Sequence, residues 1–187
     1  MKISWFNARK AAQIAAFFSN KEGDEIAILK LIKLIYLADR QNMEDCGYPI
    51  LNDKLVSMPH GPVNSITLNY VNGEIEDLGE WEKYITPRLA YSVGATDKFT
   101  RENLDELSDL ELETLEKVWA NFGHFNKWQL RDWTHLNCPE WEDPHGGANP
   151  IPHERVFKFL KAEHPEEMAS DIYEDRHIEE LFAQLRQ

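Results

Sequence analysis

The chain has 187 residues, 42% of them hydrophobic and 28% charged, and a formal net charge of −13 at pH 7. This length fits one domain with a substantial core, and the composition excludes an intrinsically disordered chain. No apolar run approaches the roughly 20 residues that span a membrane, and polar residues interrupt the N-terminal segment too often for a signal peptide. Two cysteines are too few for a disulfide framework. We therefore expect a cytoplasmic protein.

The negative charge belongs to the last two thirds of the chain. Residues 1–60 carry eight Lys and Arg against seven Asp and Glu, whereas residues 61–187 carry twelve against 26. Because an acidic surface repels phosphate groups, direct binding to nucleic acid or to a membrane is disfavoured. A basic protein partner would be attracted, although acidic residues also serve solubility alone.

The first two predicted elements are helices. Apolar spacing predicts a helix over Ala8–Ser19 with Asn7 as its N-cap. A second helix is predicted from a cap at Asp24 to about Glu44. Its apolar residues surround almost the whole circumference, which is typical of a helix at the centre of a core.

Three basic residues interrupt the second helix. Lys30, Lys33 and Arg40 are spaced by three and seven residues, which places them along one side of the helix. We expect that side to face water or a partner.

Turn residues are dense between positions 46 and 62, which indicates a loop with one short strand, Leu55–Met58. Pro62 suits the first turn of a following helix over Val63–Val71. The alternation of Leu89, Tyr91 and Val93 predicts a further short strand.

The rest of the chain reads as helices. Ser108 and Glu111 form a capping box for a helix to about Asn121. Further helices are predicted over residues 127–136, with Asn126 as the cap, and over residues 154–162. Pro165 begins an acidic tail helix. The predicted fold is therefore mainly α with a small antiparallel β element. It consists of one globular helical domain around the central apolar helix, residues 1–164, and an acidic C-terminal helical extension, residues 165–187.

The turn His60-Gly61-Pro62-Val63 has two interpretations. The free N–H groups of a helix that starts at Pro62 could receive an anion. No Gly-rich loop with Lys and Ser or Thr accompanies the turn, so no nucleotide site is indicated. A structural turn is favoured.

A group of Cys and His residues raises the alternative of a zinc enzyme. His135 and Cys138 are close in sequence, and His145 and His153 follow. Such residues could bind zinc, but their spacing matches no paired-ligand motif. A histidine held by hydrogen bonds, with the His135 ring against Trp133 or Trp141, is favoured.

Five short segments follow one another along the chain: KLIKLIYLADR at 30–40, GYP at 47–49, HGPV at 60–63, LRDWTH at 130–135 and PEW at 139–141. In this order they resemble the Panacea domain, the SocA-like family of antitoxins and phage-associated proteins. The resemblance covers roughly residues 8–162. It does not explain the acidic tail.

The resemblance implies a non-enzymatic antitoxin of a type II toxin-antitoxin system. Such a protein neutralises a cognate protein toxin, encoded by an adjacent gene, through direct contact. The family also implies an alternative, an adaptor that delivers the bound toxin to an ATP-dependent protease. No catalytic residue, cofactor or metal is expected. The candidate partner-binding residues are Lys30, Lys33, Tyr36, Arg40, His60, Trp141 and His145.

Overall fold

The computed structural model describes residues 3–23, 25–75 and 79–186. These residues form helices and two small antiparallel sheets, which confirms the predicted fold class. Along the chain the elements are α1 (Ala8–Glu22), β1 (Glu25–Ala27), α2 (Ile28–Cys46), β2 (Leu55–Met58), β3 (Gly61–Asn64), α3 (Ser65–Asn72), β4 (Ser92–Gly94), α4 (Asp109–Phe122), α5 (Lys127–Asn137), β5 (Asn149–Pro150), α6 (His153–Phe159) and α7 (Pro165–Leu185).

Helix α2 lies at the centre of the fold, as predicted. Thirteen of its 19 residues are buried, and α1, α4, α5 and β3 pack around it. The apolar residues on all sides of α2 thus find neighbours in every direction. This burial makes α2 the scaffold on which the other elements are placed.

The predicted start of α2 is wrong. The proposed cap, Asp24, lies outside the described residues, and the helix begins only at Ile28. The preceding residues form β1, which pairs antiparallel with β4 through Ile26 and Val93. A long-range strand pairing therefore overrides the helical periodicity of this segment.

Strands β2 and β3 form a hairpin that β5 extends on the β2 side. The predicted strand Leu55–Met58 is confirmed, but Pro62 does not begin a helix. Pro62 lies in β3 opposite Ser57, and α3 starts three residues later at Ser65. Proline is compatible with this position because β3 is an edge strand.

The predicted strand around Tyr91 is only partly confirmed. Val93 lies in β4, whereas Leu89 forms a single bridge to Ser92. The tight return of the chain at Ala90, where φ is 54°, leaves Leu89 and Tyr91 outside the sheet. Both side chains are consequently exposed.

Helices α4 and α5 begin where their capping residues predict, whereas the helix predicted over residues 154–162 runs from His153 to Phe159. Ser108 and Glu111 form the capping box of α4, and the Asn126 side chain accepts hydrogen bonds from the first turn of α5. Helix α7 begins at Pro165 and packs against α6, burying Ala169 and Ile172.

No helix among the described residues is both long enough and apolar enough to cross a membrane.

Candidate functional site

Lys33, one of the proposed surface residues, is buried. Its side chain is fully inaccessible, and Nζ donates a 2.6 Å hydrogen bond to the Pro62 carbonyl of β3. Burial lowers the pKa of Lys33 to about 7, because a charged ammonium group loses its hydration there. Lys33 therefore joins α2 to the hairpin.

Gly61 allows the β2–β3 hairpin to lie close to Lys33 and Thr134. Its φ is 97°, and a Cβ atom at this position would lie 3.0 Å from Lys33 Nζ and 2.9 Å from Thr134 Oγ1. A glycine is thus required by both conformation and space. The structural interpretation of the His60-Gly61-Pro62-Val63 segment fits this geometry, since the turn brings the hairpin against α2 and α5.

Glu140 is the centre of a second buried group. Its Oε1 atom accepts hydrogen bonds from Tyr36 Oη at 2.6 Å and from Arg40 Nε at 2.7 Å. The Glu140 side chain is inaccessible, and burial together with the adjacent carboxylate raises the pKa of Tyr36 well above its usual value. Tyr36 and Arg40 hold the segment after α5 against α2.

The expectation that Lys30, Lys33 and Arg40 form an exposed basic side is wrong. Lys30 is 5% exposed and donates hydrogen bonds to Glu22 Oε2 and to the Gly123 carbonyl. Only Arg40 is partly exposed, and it is paired with Glu140. The three residues do share one side of α2, but α4, α5 and the hairpin cover that side.

The Cys and His residues of the zinc alternative do not converge. Among the described residues no group of three or more His, Cys, Asp or Glu is placed to hold a metal ion. His145 lies on an exposed loop, and the His153 ring packs against Tyr173 of α7. Burial raises the pKa of Cys138 to about 12, so its thiol is not an activated nucleophile.

His135 stacks against Trp141, as expected. The two ring centroids are 4.1 Å apart and the planes are nearly parallel. The expectation of a hydrogen-bonded histidine is not met, because its buried Nε2 atom has no hydrogen-bond partner among the described residues.

An open apolar groove provides a different candidate site. Its volume is about 530 Å³. The start of α2, the β2–β3 turn, α3, the segment before β4, the start of α5 and the loop before β5 surround it. We call this cavity the groove; it is lined by Ile28, Leu29, Ile32, Lys33, Met58, Pro59, His60, Val63, Leu68, Asn72, Arg88, Tyr91, Lys127, Trp128, Gly146 and Gly147.

The rim of the groove combines exposed aromatic rings with positive charge. Tyr91 is 74% exposed and Trp128 48% exposed. The Arg88 guanidinium lies over the Tyr91 ring, and Lys127 Nζ lies 5.3 Å from the centre of the Trp128 ring. Arg88 and Lys127 form no ion pair within the described part of the chain. Among the described residues no carboxylate lines the groove, although the protein as a whole is strongly acidic.

Two of the seven sequence-predicted residues line the groove. His60 is exposed at its rim, with its ring 6.2 Å from that of Trp128, and Lys33 lies at its base. His145 directly precedes the groove residues Gly146 and Gly147. The Trp141 Nε1 atom supports the turn from behind by donating to the Met58 carbonyl at 2.9 Å.

The remaining candidates, Lys30, Tyr36 and Arg40, do not line the groove. Sequence patterns did not indicate the exposed aromatic and basic residues of the groove, above all Arg88, Tyr91, Lys127 and Trp128. The signal for the last pair was the predicted start of α5, where Lys127 and Trp128 follow the cap. Nothing in their spacing indicated that the β2–β3 turn lies beside them.

A family model described as "Antitoxin SocA-like, Panacea domain" matches residues 31–142. Neither a search of curated proteins nor one of solved structures found a match for the chain. The matched range runs from Leu31 in α2 to Glu142, and it therefore includes both buried polar groups and most of the groove.

Proposed function

Because the chain belongs to the antitoxin SocA-like, Panacea domain family, we propose that it is a non-enzymatic antitoxin that neutralises a cognate protein toxin by direct contact. The toxin is encoded by an adjacent gene, as in a type II toxin-antitoxin system. The contact face is the groove.

We choose the groove as the contact face because two exposed aromatic rings lie at its rim. Tyr91 and Trp128 offer large, rigid contact surfaces, and residues of this kind dominate the binding energy of protein interfaces. Apolar side chains of α2 and β3 line the concavity below them. A concave apolar surface with a polar rim has the anatomy of a protein-binding site.

A binding role also fits the chemistry of the buried polar groups. Lys33 of α2 bonds to the Pro62 carbonyl of β3, and Tyr36 and Arg40 of α2 bond to Glu140. This use of their polar atoms serves the fold. The thiol of Cys138 is buried. These contacts favour a scaffold that presents a surface over a site that activates a nucleophile.

Co-expression with the adjacent open reading frame tests the proposal. We expect the neighbour to arrest growth when expressed alone and to be harmless when this protein is present. A neighbour that is harmless alone would contradict the proposal.

The contact face is tested with the double variant Tyr91→Ala/Trp128→Ala, which should lose neutralisation and weaken binding at least tenfold, since each aromatic anchor contributes about 2 kcal/mol or more. Leu136→Ala is the matched control, because Leu136 is 83% exposed on α5 but does not line the groove. Full neutralisation by the double variant would place the toxin on another surface.

The half-life of the toxin distinguishes neutralisation from delivery to a protease. Under the proposal the bound toxin persists and is recovered intact in the complex. A toxin that disappears faster in the presence of this protein would favour the adaptor alternative.

A further inference from the structure

The last turns of α7 carry apolar side chains that nothing in the described structure covers. Ile178, Leu181, Phe182 and Leu185 are 46%, 45%, 51% and 83% exposed. Their spacing of three and four residues aligns them along one face of the helix. We call these four residues the apolar stripe.

The apolar stripe faces away from the body of the protein. Helix α7 buries Ala169 and Ile172 against the fold. At roughly 100° per residue, the direction of the apolar stripe is roughly 160° from that of those two residues. Packing of α7 on its own chain therefore cannot cover the stripe, even if the contact were extended along the helix.

The first part of α7 is firmly attached. Tyr48 Oη donates to Asp175 at 2.8 Å, and Arg176 donates to Asn52 Oδ1 at 2.6 Å and to the Asp53 carbonyl at 2.9 Å. Beyond Arg176, no side-chain hydrogen bond or ion pair links α7 to the rest of the described chain. The helix thus leaves the body as a fixed projection.

The groove has the complementary chemistry. Its lining is mainly apolar, its rim carries Arg88 and Lys127, and none of the lining residues that the structure describes is a carboxylate. The apolar stripe is bordered by acidic residues: Glu174 lies one turn before Ile178 on the same face, and Glu179 lies beside it. An apolar face with acidic borders fits an apolar concavity with a basic rim in both respects.

The groove of the same chain is out of reach. No residue of α7 lines the groove, and α7 is one continuous helix that is anchored through Arg176. The apolar stripe could reach the groove of its own chain only if helix α7 were broken. A second copy of the chain is under no such constraint.

We propose that the apolar stripe of α7 docks in the groove of a second copy of this chain. The exchange is reciprocal, so that each copy gives one stripe and receives one, and the assembly closes as a twofold dimer. The basic rim residues then meet the acidic borders of the partner's stripe.

The test measures mass against concentration by light scattering and by sedimentation. The unmodified protein should associate reversibly into dimers. The variant Leu181→Glu/Phe182→Glu places charge in the apolar contact and should weaken association at least tenfold. Leu136→Glu adds charge to an exposed leucine of α5 that lies outside the groove and should leave association unchanged. Circular dichroism of all variants verifies that these exposed substitutions do not unfold the chain.

Charge reversal identifies the groove as the acceptor. Arg88→Glu/Lys127→Glu should weaken association, and adding Glu174→Lys/Glu179→Lys in the same chain should restore it. Mixing the stripe variant with the groove variant should give a heterodimer, because one intact contact remains between them.

Two results would overturn the proposal. One is a protein that stays monomeric at all accessible concentrations. The other is association that the stripe variant abolishes but the groove variant leaves intact, which would mean that two stripes pair with each other.

Discussion

At the residue scale, the buried contacts of Lys33 and Glu140 explain why the basic side of α2 is not an exposed surface. The periodicity of α2 correctly places Lys30, Lys33 and Arg40 on one side. It does not show what packs there, because the Pro62 carbonyl and Glu140 are 29 and 100 residues away from their partners. Spacing gives direction around a helix, whereas burial depends on distant elements.

Gly61→Ala should destabilise the fold more than Gly73→Ala. Both glycines have positive φ, so both variants share the cost of a strained backbone, about 1–2 kcal/mol. Only at Gly61 does the added Cβ meet Lys33 and Thr134; at Gly73 there is nothing within 4 Å. Chemical denaturation should show that the Gly61 variant loses at least about 1 kcal/mol more. Equal losses would mean that the hairpin can move aside.

The pKa of Lys33 predicts a pH dependence of stability. The folded-state pKa of about 7 lies below the ordinary value of 10.5. Between these values the unfolded chain binds more protons, so this group makes the free energy of unfolding rise with pH, by at most about 1.4 kcal/mol per pH unit.

Denaturation of the protein and of Lys33→Met across this pH range isolates the effect. As pH rises, the free energy of unfolding of the unmodified protein should increase relative to that of Lys33→Met. A difference that does not change with pH would show that Lys33 stays charged in the folded state.

Glu140→Ala should cost about 3–5 kcal/mol of stability, because it leaves the buried end of Arg40 and the Tyr36 hydroxyl without their acceptor. Glu116→Ala is the surface control. Glu116 is 53% exposed and pairs with Lys21, so its loss should cost less than about 1 kcal/mol. Thermal and urea unfolding of the two variants provide the comparison.

At the scale of elements, the helix starts that depend on neighbouring residues were predictable from the sequence. The strands that depend on pairing with distant residues were not. Capping residues located the starts of α4 and α5, since those hydrogen bonds lie within three residues. Pro165 located the start of α7. Strand β1 was missed because Ile26 needs Val93 as its partner. For the same reason Pro62 was assigned to a helix when the hairpin places it opposite Ser57.

Substitutions along α7 should separate its attached part from its projecting part. Ile172→Ala removes a fully buried side chain and should cost about 2–5 kcal/mol. Ile178→Ala alters the same residue type in the same helix, but Ile178 is 46% exposed. The free energy of unfolding of the monomer, measured in dilute solution, should therefore change by less than about 1 kcal/mol. If both substitutions were neutral, α7 would not be part of the folded unit.

At the scale of the whole molecule, the composition did not reveal the local charge of the groove. A net charge of −13 suggests a basic partner, yet the groove has a basic rim that comes from the segment before β4 and the start of α5. The resemblance identified the family. It could not reveal the groove, because Arg88, Tyr91, Lys127 and Trp128 come together only in three dimensions.

The two proposals together predict competition between the toxin and the partner's α7. If both use the groove, Leu181→Glu/Phe182→Glu should bind the toxin more tightly than the unmodified protein at concentrations where the latter is dimeric. Titration calorimetry with purified toxin measures this, with Leu136→Glu as the control. Equal affinities would assign toxin and tail to different surfaces.

The unequal exposure of the two cysteines has a practical consequence. Cys46 is exposed at the end of α2, whereas Cys138 is buried and its pKa is raised to about 12. A maleimide dye should therefore attach to one defined position of the unmodified protein. Because Cys46 does not line the groove, a fluorophore there can report subunit exchange and toxin capture in real time without an engineered attachment point.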